Sequence, residues 1–185
     1  MVKIYTRKGD DGTTGLLYGG RVPKSSPSIE LNGAVDEAQA ALGMARAEAA
    51  RPSELDDVLV ELERDLWVLM AEVATAPDNR HKLAPGQSMV TADMVSALEA
   101  RIDTLSERFE MPSDFVVPGQ NRPAAALDLA RTVVRRAERM AQAAPPAPDS
   151  QVGAYLNRLS DLLWAMARWQ EGEHLVTRSV GPAAP

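Results

Sequence analysis

The stretch Ser53–Val73 reads SELDDVLVELERDLWVLMAEV and has the rhythm of an α-helix. Ser53 stands three residues before Asp56, close to the capping-box pattern that marks a helix start. Apolar residues then recur every three or four positions, which places them on one helix face: Leu55, Leu59, Leu62, Leu66, Leu69 and Val73. The stretch therefore predicts an amphipathic helix that needs other helices to cover its apolar face.

Four further segments of the chain have the same periodicity. They are residues 29–50, 91–110, 123–144 and 150–170. Thr91 can cap the third helix, Pro123 falls in the first turn of the fourth, and Asp149 or Ser150 can cap the fifth. Five helices joined by modest loops predict an all-α protein, an up-down five-helix bundle with an N-terminal glycine-rich loop.

Composition narrows the class of protein. A chain of 185 residues predicts one domain, with a loop region at 1–27, a bundle at 28–170 and a tail at 171–185. The net charge of −6, with 20 dispersed basic residues, disfavours nucleic acid as a partner. The absence of cysteine excludes disulfides, thiolate zinc sites and a cysteine nucleophile. Without a signal-peptide core or a membrane-length apolar run, the sequence predicts a soluble, cytoplasmic protein.

The stretch Thr6–Gly20, TRKGDDGTTGLLYGG, precedes the first helix and is rich in polar groups close to the backbone. Gly9, Gly12 and Gly15 recur at steps of three, and glycine lets backbone N–H groups approach an anion closely. The spacing fits neither GxxxxGK[ST] nor GxGxxG. Two interpretations stay open, an anion-binding loop and a glycine-rich hairpin in which Asp and Thr support tight turns.

The fourth helix carries four arginines within about two turns. Arg131 and Arg135 are four residues apart, Glu138 follows, and Arg136 and Arg139 lie on neighbouring rows. Like charges at this spacing destabilise a helix by roughly 0.2–0.5 kcal/mol per pair unless an anion faces them. The segment is either a polyphosphate site or a solvated basic face.

Two helices carry polar residues among apolar neighbours. Asn157, Asp161 and Arg168 form a line on the leucine-rich fifth helix, and Asp36 interrupts the alanine-rich first helix. Asp36 could pair with an arginine of the fourth helix, either to hold the bundle or to aim that arginine at a ligand. The line on the fifth helix could equally be an inter-helix hydrogen-bond network with no further task.

Five blocks, in this order and spacing, resemble the motif set of the PduO-type ATP:cobalamin adenosyltransferases. The blocks are YTRKGDDGTTGLLYGGRVPK at 5–24, GAVDE at 33–37, FVVPG at 115–119, ARTVVRRAER at 130–139 and YLNRLSDLLWAMARW at 155–169. The resemblance implies a five-helix bundle that forms a homotrimer with active sites between subunits.

The reaction that this resemblance implies transfers the 5′-deoxyadenosyl group of ATP to the cobalt of cob(I)alamin, which is formed from cob(II)alamin in the site. The products are adenosylcobalamin and triphosphate. Mg²⁺ accompanies the nucleotide, and the implied partners are a reductase and an adenosylcobalamin-dependent mutase. A carrier that binds both ligands without turnover and delivers adenosylcobalamin to a mutase is the alternative.

The resemblance also implies a nucleotide site. The N-terminal motif would wrap the triphosphate, with Lys24 as a further contact, through Thr6, Arg7, Lys8, Gly9, Asp10, Gly12, Thr13 and Thr14. The fourth helix and the start of the fifth would contact the phosphates, the magnesium region and the adenosine through Arg135, Arg136, Glu138, Arg139 and Asn157. Glu138 is the one metal-site candidate among them.

The resemblance finally implies a catalytic set of Arg131, Arg135, Asp36 and Phe115. Arg131 resembles the family arginine that is held by the aspartate matching Asp36. Phe115 resembles the phenylalanine that lies against the lower face of the corrin ring and displaces its axial base. Because cob(I)alamin is itself a strong nucleophile, such a site needs no activated serine and no general base.

Overall fold

The computed structural model describes residues 4–179 and contains five α-helices. A small antiparallel hairpin comes first, with β1 at Thr13–Gly15 and β2 at Arg21–Pro23. The helices are α1 (Pro27–Glu48), α2 (Glu54–Val73), α3 (Ala92–Ser106), α4 (Arg122–Ala143) and α5 (Val152–Glu171). The predicted all-α five-helix bundle is confirmed. Within residues 4–179, no helix combines the length and the apolar character that crossing a membrane requires.

The helices pack in a chain of neighbours: α2 on α1, α1 on α4, α4 on α5, and α5 on α3. The apolar face predicted for α2 is buried along its whole length, from Leu55 to Val73. Each fully buried leucine contributes about 1.5–3 kcal/mol relative to an exposed one. Alanines occupy much of the buried face of α1 and α4, and their small side chains let these two helices approach closely: Ala34, Ala38, Ala41, Ala45, Ala124, Ala130, Ala137 and Ala141.

Helix starts follow the predicted capping chemistry in two places. The Ser53 hydroxyl accepts a hydrogen bond from the Asp56 N–H at 3.2 Å, and the Thr91 hydroxyl accepts one from the Met94 N–H at 3.3 Å. The cap of α4 is Asn121, whose side-chain oxygen accepts from the Ala124 N–H at 2.9 Å. Sequence analysis missed Asn121, although an asparagine two residues before a first-turn proline is a recognisable start signal.

Two predicted helix ends are wrong. The N-cap residue of α5 is Gln151 rather than Asp149 or Ser150, because that helix begins at Val152. The Ser150 hydroxyl still accepts from the Val152 N–H at 3.3 Å, while it donates to a buried carboxylate on α2 at 2.7 Å. The third helix stops at Ser106 rather than running to residue 110. Because the chain leaves the helix at Ser106, Phe109 can pack edge-on against Trp164 of α5, with ring centroids 6.1 Å apart.

The buried carboxylate is Glu72, in the last turn of α2, which is 0% exposed. It accepts hydrogen bonds from the Arg80 guanidinium at 3.1 Å, the Val90 N–H at 2.8 Å and the Ser150 hydroxyl at 2.7 Å. Glu72 therefore fixes two points of the α2–α3 connection and one point of the α4–α5 connection to the end of α2. The hairpin rests on the same end, because the Leu17 N–H donates to the Ala74 carbonyl at 2.8 Å.

Replacing Glu72 with glutamine is expected to lower the free energy of unfolding by about 2–4 kcal/mol, because the amide cannot accept from all three donors and carries no charge for Arg80. Urea denaturation measures this difference. The matched control is Glu61→Gln, which breaks an exposed ion pair with Arg101 and should change stability by no more than about 1 kcal/mol. Equal stability of the two variants would contradict this role for Glu72.

Candidate functional site

The glycine-rich segment folds as the small hairpin, and binding of an anion by this hairpin stays a prediction. Thr13, Thr14 and Gly15 pair with Pro23, Val22 and Arg21, respectively. The connection between the strands needs a left-handed backbone over residues 18–20, with φ of 63°, 100° and 93°. Glycines at 19 and 20 supply two of these conformations without steric cost.

A side-chain network closes the base of the hairpin. The Thr13 hydroxyl donates to an Asp11 carboxylate oxygen at 2.8 Å and accepts from the Arg21 guanidinium at 2.7 Å, and Arg21 also donates to the Lys8 carbonyl at 2.5 Å. Two hydrogen bonds to its carboxylate lower the pKa of Asp11 below the usual value. The bond from the Thr13 N–H has the larger effect, and the bond from the Thr13 hydroxyl has the smaller one. The bonds between Asp11 and Thr13 are of the kind that the hairpin interpretation predicts, in which Asp and Thr support tight turns. Arg21 was not among the predicted residues.

The segment before the hairpin presents its polar groups to solvent. Thr6, Arg7, Lys8 and Asp10 are all exposed. Gly9 is different, since a Cβ at that position would lie 3.2 Å from both the Lys24 ammonium nitrogen and the Thr13 carbonyl oxygen. Glycine at position 9 therefore allows the Lys24 side chain to lie against the loop, in a segment that also exposes Arg7 and Lys8.

Lys24 also borders a cavity of about 440 Å³ between the hairpin, α1 and α4, called here the hairpin cavity. Arg136 of α4 and Glu37 of α1 line the same cavity and form an ion pair with each other. The fold thus brings together two predicted phosphate contacts, Lys24 and Arg136, that lie far apart in the sequence. Sequence analysis considered a pair between Asp36 of α1 and an arginine of α4, and the α1 carboxylate that forms such a pair within the subunit is the neighbouring Glu37.

The outer face of α4 keeps two arginines available. Arg135 and Arg139 are exposed, and neither forms an ion pair with any residue between 4 and 179. Glu138 points toward α5, where its carboxylate accepts from the Asn157 side-chain amide at 2.7 Å. Two predicted nucleotide contacts on different helices are thus in direct contact.

A second cavity, of about 530 Å³, lies between the loop that follows α3 and helices α4 and α5. It is called here the Phe115 cavity, after the loop residue whose side chain is 83% exposed and lines it. The helices contribute Asp128, Arg131, Trp164 and Arg168. An exposed aromatic ring beside an apolar and charged recess is a feature typical of a binding site.

The predicted contact between Asp36 and Arg131 does not form within the subunit. Val35 and Ala38 occupy the core-facing positions of α1, so the intervening Asp36 is turned to solvent. Arg131 instead donates through Nε to an Asp128 carboxylate oxygen at 3.2 Å. Asp128 lies three residues before Arg131 on the same helix, a spacing at which side chains are neighbours.

The polar line on α5 forms hydrogen-bonded pairs. The Arg168 guanidinium is 2% exposed and donates to Asp128 at 2.5 Å and to Glu171 at 3.0 Å. Burial raises the pKa of Glu171, while Arg168 acts in the opposite direction. Asp161 lies 3.5 Å from Arg158. Arg168 thus connects α5 to Asp128 of α4 through a hydrogen bond between helices.

The residues after α5 hold the loop that carries Phe115. The Thr177 N–H donates to the Phe115 carbonyl at 2.8 Å, and the Val117 N–H donates to the Leu175 carbonyl at 2.8 Å. These two bonds belong to an antiparallel bridge and fix the backbone on both sides of the ring. The start of the predicted tail therefore holds the loop that lines the Phe115 cavity.

Sequence comparison relates the chain to known proteins. The sequence model of the family described as cobalamin adenosyltransferase matches residues 4–170. The corrinoid adenosyltransferase PduO of Salmonella typhimurium (strain LT2) is 38% identical over 172 residues, which are 92% of this chain and 50% of that protein. The corrinoid adenosyltransferase of Mycobacterium bovis is also 38% identical over 172 residues, which cover 91% of this chain and 88% of that protein. The chain spans about half the length of the PduO relatives.

Solved structures show the same fold. A PduO-type ATP:corrinoid adenosyltransferase from Lactobacillus reuteri, a phenylalanine-to-histidine variant complexed with cobalamin and ATP, superposes with a TM-score of 0.84 at 28% identity. The match covers 95% of this chain and 97% of that chain. An arginine-to-lysine variant complexed with ATP gives a TM-score of 0.79 at 29% identity, over 91% and 94% of the two chains. With a family match that covers nearly all of the described residues, this chain belongs to the cobalamin adenosyltransferase family.

Proposed function

We propose that this protein transfers the 5′-deoxyadenosyl group of ATP to the cobalt of cob(I)alamin. The observation that carries the proposal is the family match over residues 4–170. The described structure supports it with two recesses that meet α4, one with cationic groups for a polyphosphate and one with an exposed aromatic ring. In the reaction, cobalt attacks C5′, the bond from C5′ to the triphosphate oxygen breaks, and triphosphate leaves.

The proposed nucleotide site combines the hairpin with the outer face of α4. Thr6, Arg7, Lys8, Asp10 and Thr14 would contact the triphosphate, together with backbone N–H groups near Gly9 and Gly12 and the side chains of Thr13, Lys24, Arg136 and Arg139. Guanidinium groups bind phosphate oxygens in a bidentate manner, and Arg135 is exposed without a carboxylate partner among residues 4–179. Asn157, held by Glu138, would contact the nucleoside. These groups position C5′ and stabilise the charge on the leaving triphosphate.

The proposed cobalamin site is the Phe115 cavity. Phe115 would lie against the lower face of the corrin ring and exclude the axial base, so that cobalt(II) is reduced more easily. Its exposure of 83% leaves the ring free to make such a contact. Arg131 lines the same cavity and is proposed to act between the cobalamin and nucleotide sites.

Magnesium is proposed to enter with the nucleotide. Among residues 4–179 there is no group of three carboxylate or imidazole side chains arranged to hold a metal ion. Mg²⁺ commonly binds through one or two carboxylates together with the substrate phosphates. Glu138 would supply the protein carboxylate, and the ion would neutralise phosphate charge.

Subunit assembly is part of the proposal. The protein would form a homotrimer in the cytoplasm, with active sites between subunits, so that a neighbour's Asp36 could reach Arg131. The exposed position of Asp36 on α1 and the unpaired terminal nitrogens of Arg131 within the described chain favour this arrangement. A reductase would supply the electron for cob(II)alamin, and an adenosylcobalamin-dependent mutase would receive the product.

Anaerobic mixing of the protein with ATP, Mg²⁺ and chemically reduced cobalamin tests the proposed function. We expect the absorption spectrum of adenosylcobalamin to appear over many turnovers, with one triphosphate released per adenosyl group transferred. Binding of both ligands without turnover would identify a carrier instead. No spectral change and no ATP-dependent rise in melting temperature would reject both functions.

A further inference from the structure

The Phe115 cavity contains a buried ion pair that neither the substrates nor the overall fold obviously requires. Arg168 of α5 is 2% exposed and Asp128 of α4 is 4% exposed, and their side chains meet at 2.5 Å. Glu171 provides a second carboxylate, with an oxygen 2.8 Å from the Arg168 Nε atom. Burying such groups costs several kcal/mol per ion, and an apolar pair of similar volume often gives equal or greater stability. Packing alone therefore does not explain why charges occupy this place.

Asp128 connects the buried pair to Arg131. One carboxylate oxygen of Asp128 faces Arg168, while the other accepts from the Arg131 Nε atom at 3.2 Å. Arg168 thereby fixes the carboxylate, and the carboxylate fixes the plane of the Arg131 guanidinium. All three side chains border the same cavity.

The use of Nε matters for what Arg131 can still bind. A guanidinium presents its donors in a rigid, planar fork. Holding it through Nε leaves both terminal nitrogens of Arg131 without a hydrogen-bond partner among residues 4–179. The guanidinium of Arg131 is therefore held in one orientation, and its two terminal nitrogens can still bind another group.

We propose that Asp128, anchored by Arg168, is a positioning residue that orients Arg131 for the adenosyl transfer. The proposal rests on the proposed function, because it assigns Asp128 a task in that reaction. Asp128 acts through Arg131 and does not itself contact the reacting atoms. The effect of losing Asp128 should therefore depend on the presence of Arg131.

A double-mutant cycle on the full-length protein tests this dependence. Asp128→Asn keeps the side-chain shape and is expected to lower kcat by about 10- to 100-fold, or about 1.4–2.8 kcal/mol of barrier, with KM for ATP changed less than threefold. In the Arg131→Ala background, Asp128→Asn should change kcat by less than about twofold. Multiplicative losses, or an unchanged kcat in Asp128→Asn, would overturn the proposal. Glu61→Gln, which breaks an ion pair between α2 and α3 and borders neither the Phe115 cavity nor the hairpin cavity, is the control and should keep wild-type kcat.

A second variant separates orientation from stability. Asp128→Leu combined with Arg168→Met replaces the ion pair by apolar groups, and Glu171 can then take up a proton because burial already raises its pKa. This protein should melt within a few degrees of the wild type, yet show the same loss of kcat as Asp128→Asn. If the double variant has a normal melting temperature and also keeps wild-type kcat, the ion pair has no part in catalysis.

A measurement without turnover distinguishes failure of this proposal from failure of the proposed function. The ¹⁵N NMR signal of the Arg131 Nε–H group, assigned with Arg131→Lys, reports its hydrogen bond to Asp128. We expect slow hydrogen exchange of this group in the wild type and faster exchange, by at least about tenfold, in Asp128→Asn. Equal exchange in the two proteins would overturn the positioning role whether or not the protein makes adenosylcobalamin. Absence of product from a wild type with a protected Arg131 signal would instead count against the proposed function.

Discussion

Arg135→Ala is expected to lower kcat/KM for ATP by about 100- to 1000-fold, which is the loss that follows removal of one donor aimed at developing negative charge. Arg135 is exposed in the middle of α4 and forms no ion pair with any other described residue. Its substitution therefore removes a proposed phosphate ligand without breaking an ion pair within the described residues. Because the charge on the leaving oxygen grows in the transition state, kcat should fall more than nucleotide affinity.

Initial rates with preformed cob(I)alamin over a range of ATP concentrations measure the effect of Arg135→Ala. Arg122→Ala is the matched control, since Arg122 lies on the same helix, is also exposed, and only reaches Glu48 at 4.0 Å. The control should retain kcat/KM within about twofold, as a weak surface ion pair predicts. Similar kinetics for the two variants would mean that the basic face of α4 is simply solvated.

Phe115→Ala is expected to slow the reaction from cob(II)alamin by at least about 100-fold and the reaction from preformed cob(I)alamin by about tenfold or less, a difference of about 1.4 kcal/mol or more. An aromatic ring against the lower face of the corrin excludes the axial base, and a methyl group leaves room for that base. Cobalt(II) that keeps its lower ligand is harder to reduce. Once cobalt(I) has formed, that obstacle is gone.

The two assays use the same enzyme with either a weak reductant and cob(II)alamin or a strong reductant that supplies cob(I)alamin. Because Phe115 is 83% exposed, its truncation should leave the melting temperature unchanged. Met111→Ala, in the same loop and 57% exposed, is the control and should affect neither assay. If Phe115→Ala lowers the rate by the same factor in both assays, the ring contributes to corrin binding alone and has no role in reduction.

The local part of the fold could be predicted because it depends on near neighbours in the chain. The leucines of α2 lie every three or four residues, so their common face follows from helix geometry alone, and all of them are buried. Ser53 and Thr91 cap helices through bonds that span three residues. Errors arose where packing against a distant element overrode a local pattern, as when the chain leaves α3 at Ser106 and Phe109 packs against Trp164 of α5.

The candidate site could be predicted as a set of residues and only partly as a set of contacts. The family motifs indicated the hairpin, the arginines of α4 and Phe115, and the fold places Lys24 beside Arg136 and Asn157 beside Glu138. Within the subunit Arg131 is bonded to Asp128 and not to Asp36, and a contact of Asp36 with Arg131 between subunits stays a prediction. Competition between two carboxylates for one guanidinium is a matter of distance, which periodicity does not give.

The sequence by itself determined the helical class, the order of the helices, the buried face of α2 and the family, because each follows from residue type and spacing along the chain. Only the tertiary structure decided which charges meet. Arg168 looked like one polar residue in a line on α5, and its partner Asp128 lies on another helix, 40 positions away. Helix packing brings these side chains together, and their low exposure makes the pairing strong enough to orient Arg131.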